Sequence, residues 1–215
     1  MESLARGGTR WRRFAVVMVP SVAATAAIGV ALSQGALAAS FSVSGQQFKV
    51  TAKELNGKGF VQYGAVDTNS SDDKKPVAVV GFDSAYITGL CQSVSVPVPL
   101  FGDFTMRLDA GPGPSKQQQV YAKTLYIDAD DLHADAEFKN IDIGVDVDKS
   151  QKGPGPSAGD KAQKKYQPGS FAQQADKVKF TNVQQRAWAT TAGTFRLSGL
   201  HMAVSKGNGA ECYKD

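Results

Sequence analysis

The sequence predicts an all-β chain, folded as an antiparallel sandwich or a barrel-like curved sheet, and three observations carry that expectation. First, one hexapeptide pattern occurs three times: Ala85-Tyr-Ile-Thr-Gly-Leu90, Val178-Lys-Phe-Thr-Asn-Val183 and Phe195-Arg-Leu-Ser-Gly-Leu200. Each alternates apolar and polar side chains, the period of a strand, then places a hydroxyl and a Gly or Asn where a bend requires positive φ. Second, short alternating runs fill the chain, and no segment after the N-terminus keeps a strong helical period over three turns. Third, Gly, Pro, Asn and Asp punctuate these runs often enough for ten to twelve short strands. A β-solenoid is the alternative that repeats suggest, but the three copies are unevenly spaced.

In chain order, Ser40–Val50 alternates and opens the sheet, and Gly59–Val66 follows as a second strand. Asp67–Pro76 (DTNSSDDKKP) is a polar hairpin tip, and Val77–Leu90 carries a strand into the first hexapeptide. Val94–Leu100 alternates, yet Pro97 and Pro99 lack a ladder donor, which places it at an edge. Phe104–Leu108 is a short strand, and Ala110–Gln119 a loop. Val120–Val147 is the longest β pattern; its apolar positions run Leu125, Ile127, Ala129 and then change phase to Leu132, Ala134, Ala136, Phe138. Lys149–Gly169 is rich in Gly, Pro and Lys and reads as a flexible excursion from the surface. Ser170–Lys177 has room for one or two helical turns, and Asp176–Ser205 closes the fold.

Ahead of the sheet, Arg6, Arg10, Arg12 and Arg13 precede the apolar run Phe14–Leu32, and Ala36-Leu37-Ala38 follows. A basic end, an apolar stretch and an A-x-A site make an export signal with cleavage after Ala38; uncleaved, the run of about 19 residues is just long enough to anchor in a bilayer. Residues 1–38 are therefore read as signal peptide or retained anchor, and 39–215 as one β-rich domain in the cell envelope or outside the cell. Removing the segment's four arginines and one glutamate from 24 basic and 20 acidic residues leaves 20 and 19. So neutral a body has no field for nucleic acid. In an oxidising compartment Cys91 and Cys212 pair as a disulfide across a loop of about 120 residues.

Catalytic chemistry has one foothold. Gly155-Pro156-Ser157-Ala158-Gly159 matches the nucleophile-elbow pattern of serine hydrolases, with Asp176 and His201 downstream in the right order. That elbow needs a strand delivering the Ser and a helix leaving it, whereas Ser157 sits in the Gly/Pro/Lys tract. His133 and His201 both lie in alternating runs and read as surface imidazoles. Asp128, Asp130, Asp131, Asp135, Glu137, Asp142, Asp146 and Asp148 alternate with apolar residues, which fits the solvated face of a sheet better than a calcium loop. No metal or cofactor motif is present. Trp188, bracketed by small residues, fills a core or lines an apolar cavity, with Phe195 as its companion in a ligand site.

Several stretches resemble a family of exported actinobacterial proteins of unknown function: Gly35-Ala-Leu-Ala-Ala-Ser-Phe-Ser-Val-Ser-Gly-Gln46, Gly59-Phe-Val-Gln-Tyr-Gly64, Leu90-Cys-Gln-Ser93, Phe138-Lys-Asn-Ile-Asp-Ile-Gly144 and Trp188-Ala-Thr-Thr-Ala-Gly-Thr-Phe195. Members often carry the label "cholesterol esterase", and the resemblance brings no catalytic residues with it. The expectation is thus an exported or envelope-associated, non-enzymatic β protein, structural or binding a lipid or other apolar ligand. The rival expectation is a lipid-ester hydrolase using Ser157, His201 and Asp176.

Overall fold

A computed structural model describes residues 44–69 and 71–214; the expected signal segment and its expected cleavage point lie outside the described residues. Eight strands form one antiparallel sheet: β1 (Phe48–Thr68), β2 (Lys74–Thr88), β3 (Leu90–Val98), β4 (Gly102–Ala110), β5 (Val120–Lys139), β6 (Asp142–Asp146), β7 (Phe171–Arg196) and β8 (His201–Lys206). Their order is β6-β7-β5-β2-β1-β3-β4-β8, and β1 also pairs with β7. That extra pairing closes β1, β2, β5 and β7 into a ring. The strands β3, β4 and β8 leave the ring as a three-stranded wing, joined to β1 only at Lys49, Val50 and Thr51. Antiparallel pairing between every named neighbour excludes the solenoid alternative and bears out the curved sheet.

The strands are fewer and longer than the turn residues suggest, because several of those residues bend a strand without ending it. Gly59, Thr124 and Asn182 have φ of 65°, 51° and 53°, and the pairing register skips each of them. At Gly59 and Thr124 one residue on each strand goes unpaired and the register is kept, whereas at Asn182 the register against β5 shifts as a bulge; bulges of this kind increase local twist and help the long strands wrap into a closed ring. The phase change in β5 has the same origin. Register shifts between Asp128 and Asp131 move the inward positions from Leu125, Ile127 and Ala129 to Leu132, Ala134 and Phe138.

All three hexapeptides take positive φ at the fifth position: Gly89 at 63°, Asn182 at 53° and Gly199 at 65°. Gly89 turns β2 into β3 and returns Leu90 to the core, as the pattern predicts. Asn182 makes a bulge within β7, with Val183 buried beyond it. Gly199 turns β7 toward β8, but Leu200 stays exposed.

The ring is filled. Each of its four strands sends one phenylalanine to the centre, Phe60, Phe82, Phe138 and Phe180, with ring centroids 5.2–6.4 Å apart. Burying each such ring contributes about 1.5–3 kcal/mol. A second cluster, including Val61, Tyr63, Val79, Val147 and Ala172, lies on the outer face of the sheet.

What covers that outer cluster corrects the expectation of an excursion at 149–169. The segment folds back as a strap, entered through a short 3₁₀ turn (Val147–Lys149) and carrying the helix α1 (Ala158–Gln163). Gln174 Oε1 accepts from the amides of Gln151 and Lys152 at 2.7 and 3.0 Å, Tyr126 donates to the Gly155 carbonyl, and the Val66 amide donates to the Lys165 carbonyl at 2.8 Å. Its composition, which suggests exposure, is what allows close approach. At Gly153 a Cβ would come within 2.8 Å of the Phe60 carbonyl carbon, so only glycine fits there. Ser170 precedes β7, and the helical turn expected at Ser170–Lys177 is strand instead.

Candidate functional site

Three places bring chemically distinctive groups together: the strap's buried contacts, a groove at the hexapeptide corners, and one face of the wing.

Under the strap, Asp67 is fully buried and Asp160 is 5% exposed. Lys165 Nζ lies 2.7 Å from Asp67 Oδ1 and 3.8 Å from Asp160 Oδ1. The Tyr63 hydroxyl donates to Asp160 Oδ2 at 2.5 Å and accepts from the Ser157 amide at 3.3 Å. Asp128 adjoins this group, so one lysine faces three carboxyls in a low-dielectric space. One carboxyl must keep its proton. Burial, then the charges of Asp67 and Asp160, then a hydrogen bond with Asp67, push Asp128 up to about 8. Oδ2 of Asp67 has no hydrogen-bond partner among the described residues, and a proton kept on Asp128 would supply one. Burial and Asp160 also push the Tyr63 hydroxyl well above the usual tyrosine range. The other acidic residues of the segment mostly follow the expected pattern: Asp130 pairs with Arg186, Asp135 accepts from Asn182 and Asp142 pairs with Lys152. Asp128 departs from it, since it is half-buried toward the strap.

The second place is a groove of about 530 Å³, where Gly89, Asn182 and Gly199 converge beside Lys53, Arg107 and Asp109. The three hexapeptides are thus distant in sequence but share one surface. Arg107 and Asp109 satisfy each other there through two hydrogen bonds of 2.8 and 2.9 Å.

The third place is the wing. Its strands alternate, so Ser93, Ser95, Thr105 and Arg107 point to one face and Val94, Val96, Phe104 and Met106 to the other. The C-terminal tail covers the polar face. Thr105 Oγ1 donates to the Gly207 carbonyl at 2.7 Å, the Cys212 amide donates to Ser93 Oγ at 3.0 Å, and Cys91 and Cys212 form the expected disulfide. No described element covers the apolar face. Met106 pairs with Val204 and Leu108 with Met202 across β4 and β8, and Met106, Met202 and Val204 are 50%, 69% and 67% exposed. At the β3–β4 hairpin tip Leu100 is wholly exposed and Phe101 two-thirds exposed. This face continues into the ring, because Leu108 packs on the main core and Leu90, Gln92 and Phe195 line a small cavity at the ring's mouth.

The residues expected to act together are dispersed. Ser157 is the N-cap of α1, and its Oγ accepts from the Asp160 amide at 3.0 Å. Its φ and ψ of −60° and 155° are ordinary extended values, and a Gly-Pro loop delivers it, not a strand. His201 begins β8 opposite Asp109, while Asp176, on β7, accepts from Asn140. No hydrogen bond joins Ser157, His201 and Asp176 among the described residues. His133 is exposed beside Asp131. Trp188 packs on the outer cluster, with Lys75 Nζ 5.3 Å from its ring centroid, whereas Phe195 lies at the ring's mouth. The two aromatics therefore occupy opposite faces of the sheet and do not share a cavity. The cavity beside Phe195 has about 30 Å³, room for a water or two and not for an acyl chain. Among the described residues no cluster of His, Cys, Asp or Glu is arranged to hold a metal ion, and no helix is long and apolar enough to cross a membrane.

Sequence reasoning missed the wing and the buried carboxyls. The wing did leave a signal: Leu100-Phe101 stands in a Pro-rich turn, where polar residues are usual. No curated protein and no solved structure matched the chain. A family model matched residues 44–213, which spans the ring, strap, wing and disulfide, and the chain belongs to that family, described as a family of unknown function (DUF6230).

Proposed function

We propose that this is an exported protein of the cell envelope or extracellular space that performs no catalysis and binds apolar, lipid-like ligands on the open face of its wing. The observation that carries the reading is the contiguous apolar surface of Met106, Met202 and Val204, continuous with the core at Leu108. Exposed apolar surface of this kind costs solubility, and contiguous patches on soluble proteins usually mark binding sites. The face is aliphatic and thioether in character, and methionine adapts its shape to flexible chains. Ligand would therefore lie along the wing toward Phe195, since the ring interior is already filled by phenylalanines. Export rests on the N-terminal signal pattern, and the disulfide agrees with an oxidising destination.

Titration of the purified protein with a fluorescent long-chain fatty acid tests this reading. Saturable binding is expected, weakened at least tenfold by Met106→Glu with Met202→Glu. Both side chains are exposed, so the fold tolerates the change. Equal binding by wild type and variant would refute the wing as the site.

A further inference from the structure

The β3–β4 hairpin is shaped in a way that ligand binding along the wing does not require. The Phe101 amide donates to the Val98 carbonyl at 3.1 Å, closing a four-residue turn with Pro99 second and Leu100 third. Leu100 has φ of 71°. A turn with positive φ at its third residue ordinarily places Gly or Asn there. Leucine in the left-handed region is strained, and its side chain at this tip touches nothing that would compensate. Gly102 stands two residues away, so the chain places leucine at the strained position and a glycine just beyond it. Phe101 beside it is exposed as well. The backbone strain is the same in any medium, but a leucine and a phenylalanine exposed together at the tip oppose solubility in water and are explained if the tip works in an apolar medium.

We infer that this medium is the apolar layer of a lipid bilayer, and that the β3–β4 tip inserts Leu100 and Phe101 to hold the protein at a membrane surface. The inference deepens the reading of the wing as an apolar binding face and names the partner: lipids assembled as a bilayer. The tip itself, Pro97–Phe101, carries no charge, so nothing opposes its entry. The first charged groups behind it are Asp103, opposite Pro97 on β4, and Lys206, next to Gly207, which bridges to Phe104. One negative and one positive group at the neck would remain among the headgroups and limit the depth of insertion. The opposed signs also predict little preference for anionic lipid and little sensitivity to salt.

A second copy of the chain fits less well. Three strands about 4.8 Å apart and nine residues at about 3.3 Å give the wing a face of roughly 400 Å². Two such faces would bury about 800 Å², short of the 1,200 Å² or so of a stable interface. A face-to-face dimer would also leave the tip, beyond the end of the sheet, in water.

Sedimentation with zwitterionic phosphatidylcholine vesicles, with the fatty-acid titration in parallel, tests the inference. Wild type is expected to co-sediment, in high salt as in low. Leu100→Gly with Phe101→Ser should lower the bound fraction at least tenfold. The same variant should keep its fatty-acid binding and an unfolding midpoint equal to or above wild type, because glycine relieves the strain. Lost vesicle binding with unimpaired stability cannot come from misfolding. Unchanged vesicle binding by the tip variant overturns the inference, as does wild type that binds fatty acid but not vesicles, or that needs anionic lipid and low salt. Vesicle binding without fatty-acid binding would leave the tip standing and remove the wing reading. A dimer that the tip variant converts to monomer would assign the surface to a second copy and overturn the bilayer.

Discussion

Asp128 gives the strap a pH dependence opposite to that of most carboxylates. Its folded pKa is raised from 3.8 to about 8, chiefly by burial and by the charges of Asp67 and Asp160. The folded state therefore binds more protons than the unfolded state between those values. The stabilising contribution is fully present below about pH 4 and is lost as pH rises toward 8. Each pH unit between the two values is worth about 1.4 kcal/mol, so the whole span amounts to several kcal/mol. The other displaced groups act outside this window or in the same direction. Glu54, Asp109 and Asp142 are held low by hydrogen bonds from Lys179, Arg107 and Lys152, so their contributions are in place once pH exceeds the ordinary carboxylate range. Burial raises Asp83, which adds in the same direction as Asp128, and Tyr126 is pushed up to about 12, above the window. Asp128→Asn keeps a hydrogen-bond donor toward Asp67 at every pH and removes the titration. Urea unfolding at pH 5, 6.5 and 8 should show wild type losing stability steadily while the variant stays nearly flat and becomes the more stable protein at pH 8. Parallel curves for the two proteins would refute the shared-proton account.

Two further outcomes follow from the geometry. Replacing Cys91 and Cys212 together by Ala opens a loop of 121 residues and should cost up to about 5 kcal/mol in guanidinium unfolding, with the polar face of the wing losing the tail that covers it. Ser157→Ala removes an N-cap and should cost about 1 kcal/mol of stability. It should leave the turnover of a long-chain nitrophenyl ester at the level of buffer, as for wild type; ester hydrolysis abolished by that substitution would restore the hydrolase reading.

The fold was legible where side-chain period and turn chemistry agree. Gly89 behaves as its hexapeptide predicts because the polypeptide reverses there and only the backbone conformation matters. Asn182 carries the same local signal and the same positive φ, yet tertiary pairing with β5 on one side and β1 on the other keeps the strand going, so the bend becomes a bulge. The change of phase within β5 was visible in the spacing of Ala129 and Leu132, and the bulges at Asp128–Asp131 are its cause. The 149–169 strap was illegible for a different reason: Gly153 and Pro154 look like a solvated linker until the close approach to Phe60 and Gly81 is known. Composition reports what a segment can bury by itself, not what a sheet face offers it. Nor does local sequence distinguish Asp128 from Asp130, since the difference is the strap that arrives from 30 residues downstream. The elbow-like pentapeptide around Ser157 carries the letters of a hydrolase motif without its strand-to-helix context, and its serine and glycine serve a helix start and a tight loop.

Hydrogen–deuterium exchange resolved along the chain, in the presence and absence of fatty acid, tests the apolar wing most directly. Protection is expected in β4 and β8 around Met106, Met202 and Val204, extending to Phe195, with the groove at Lys53 and Arg107 and the strap unchanged. Protection confined to that groove or to the strap around Ser157, or none anywhere, would contradict the account.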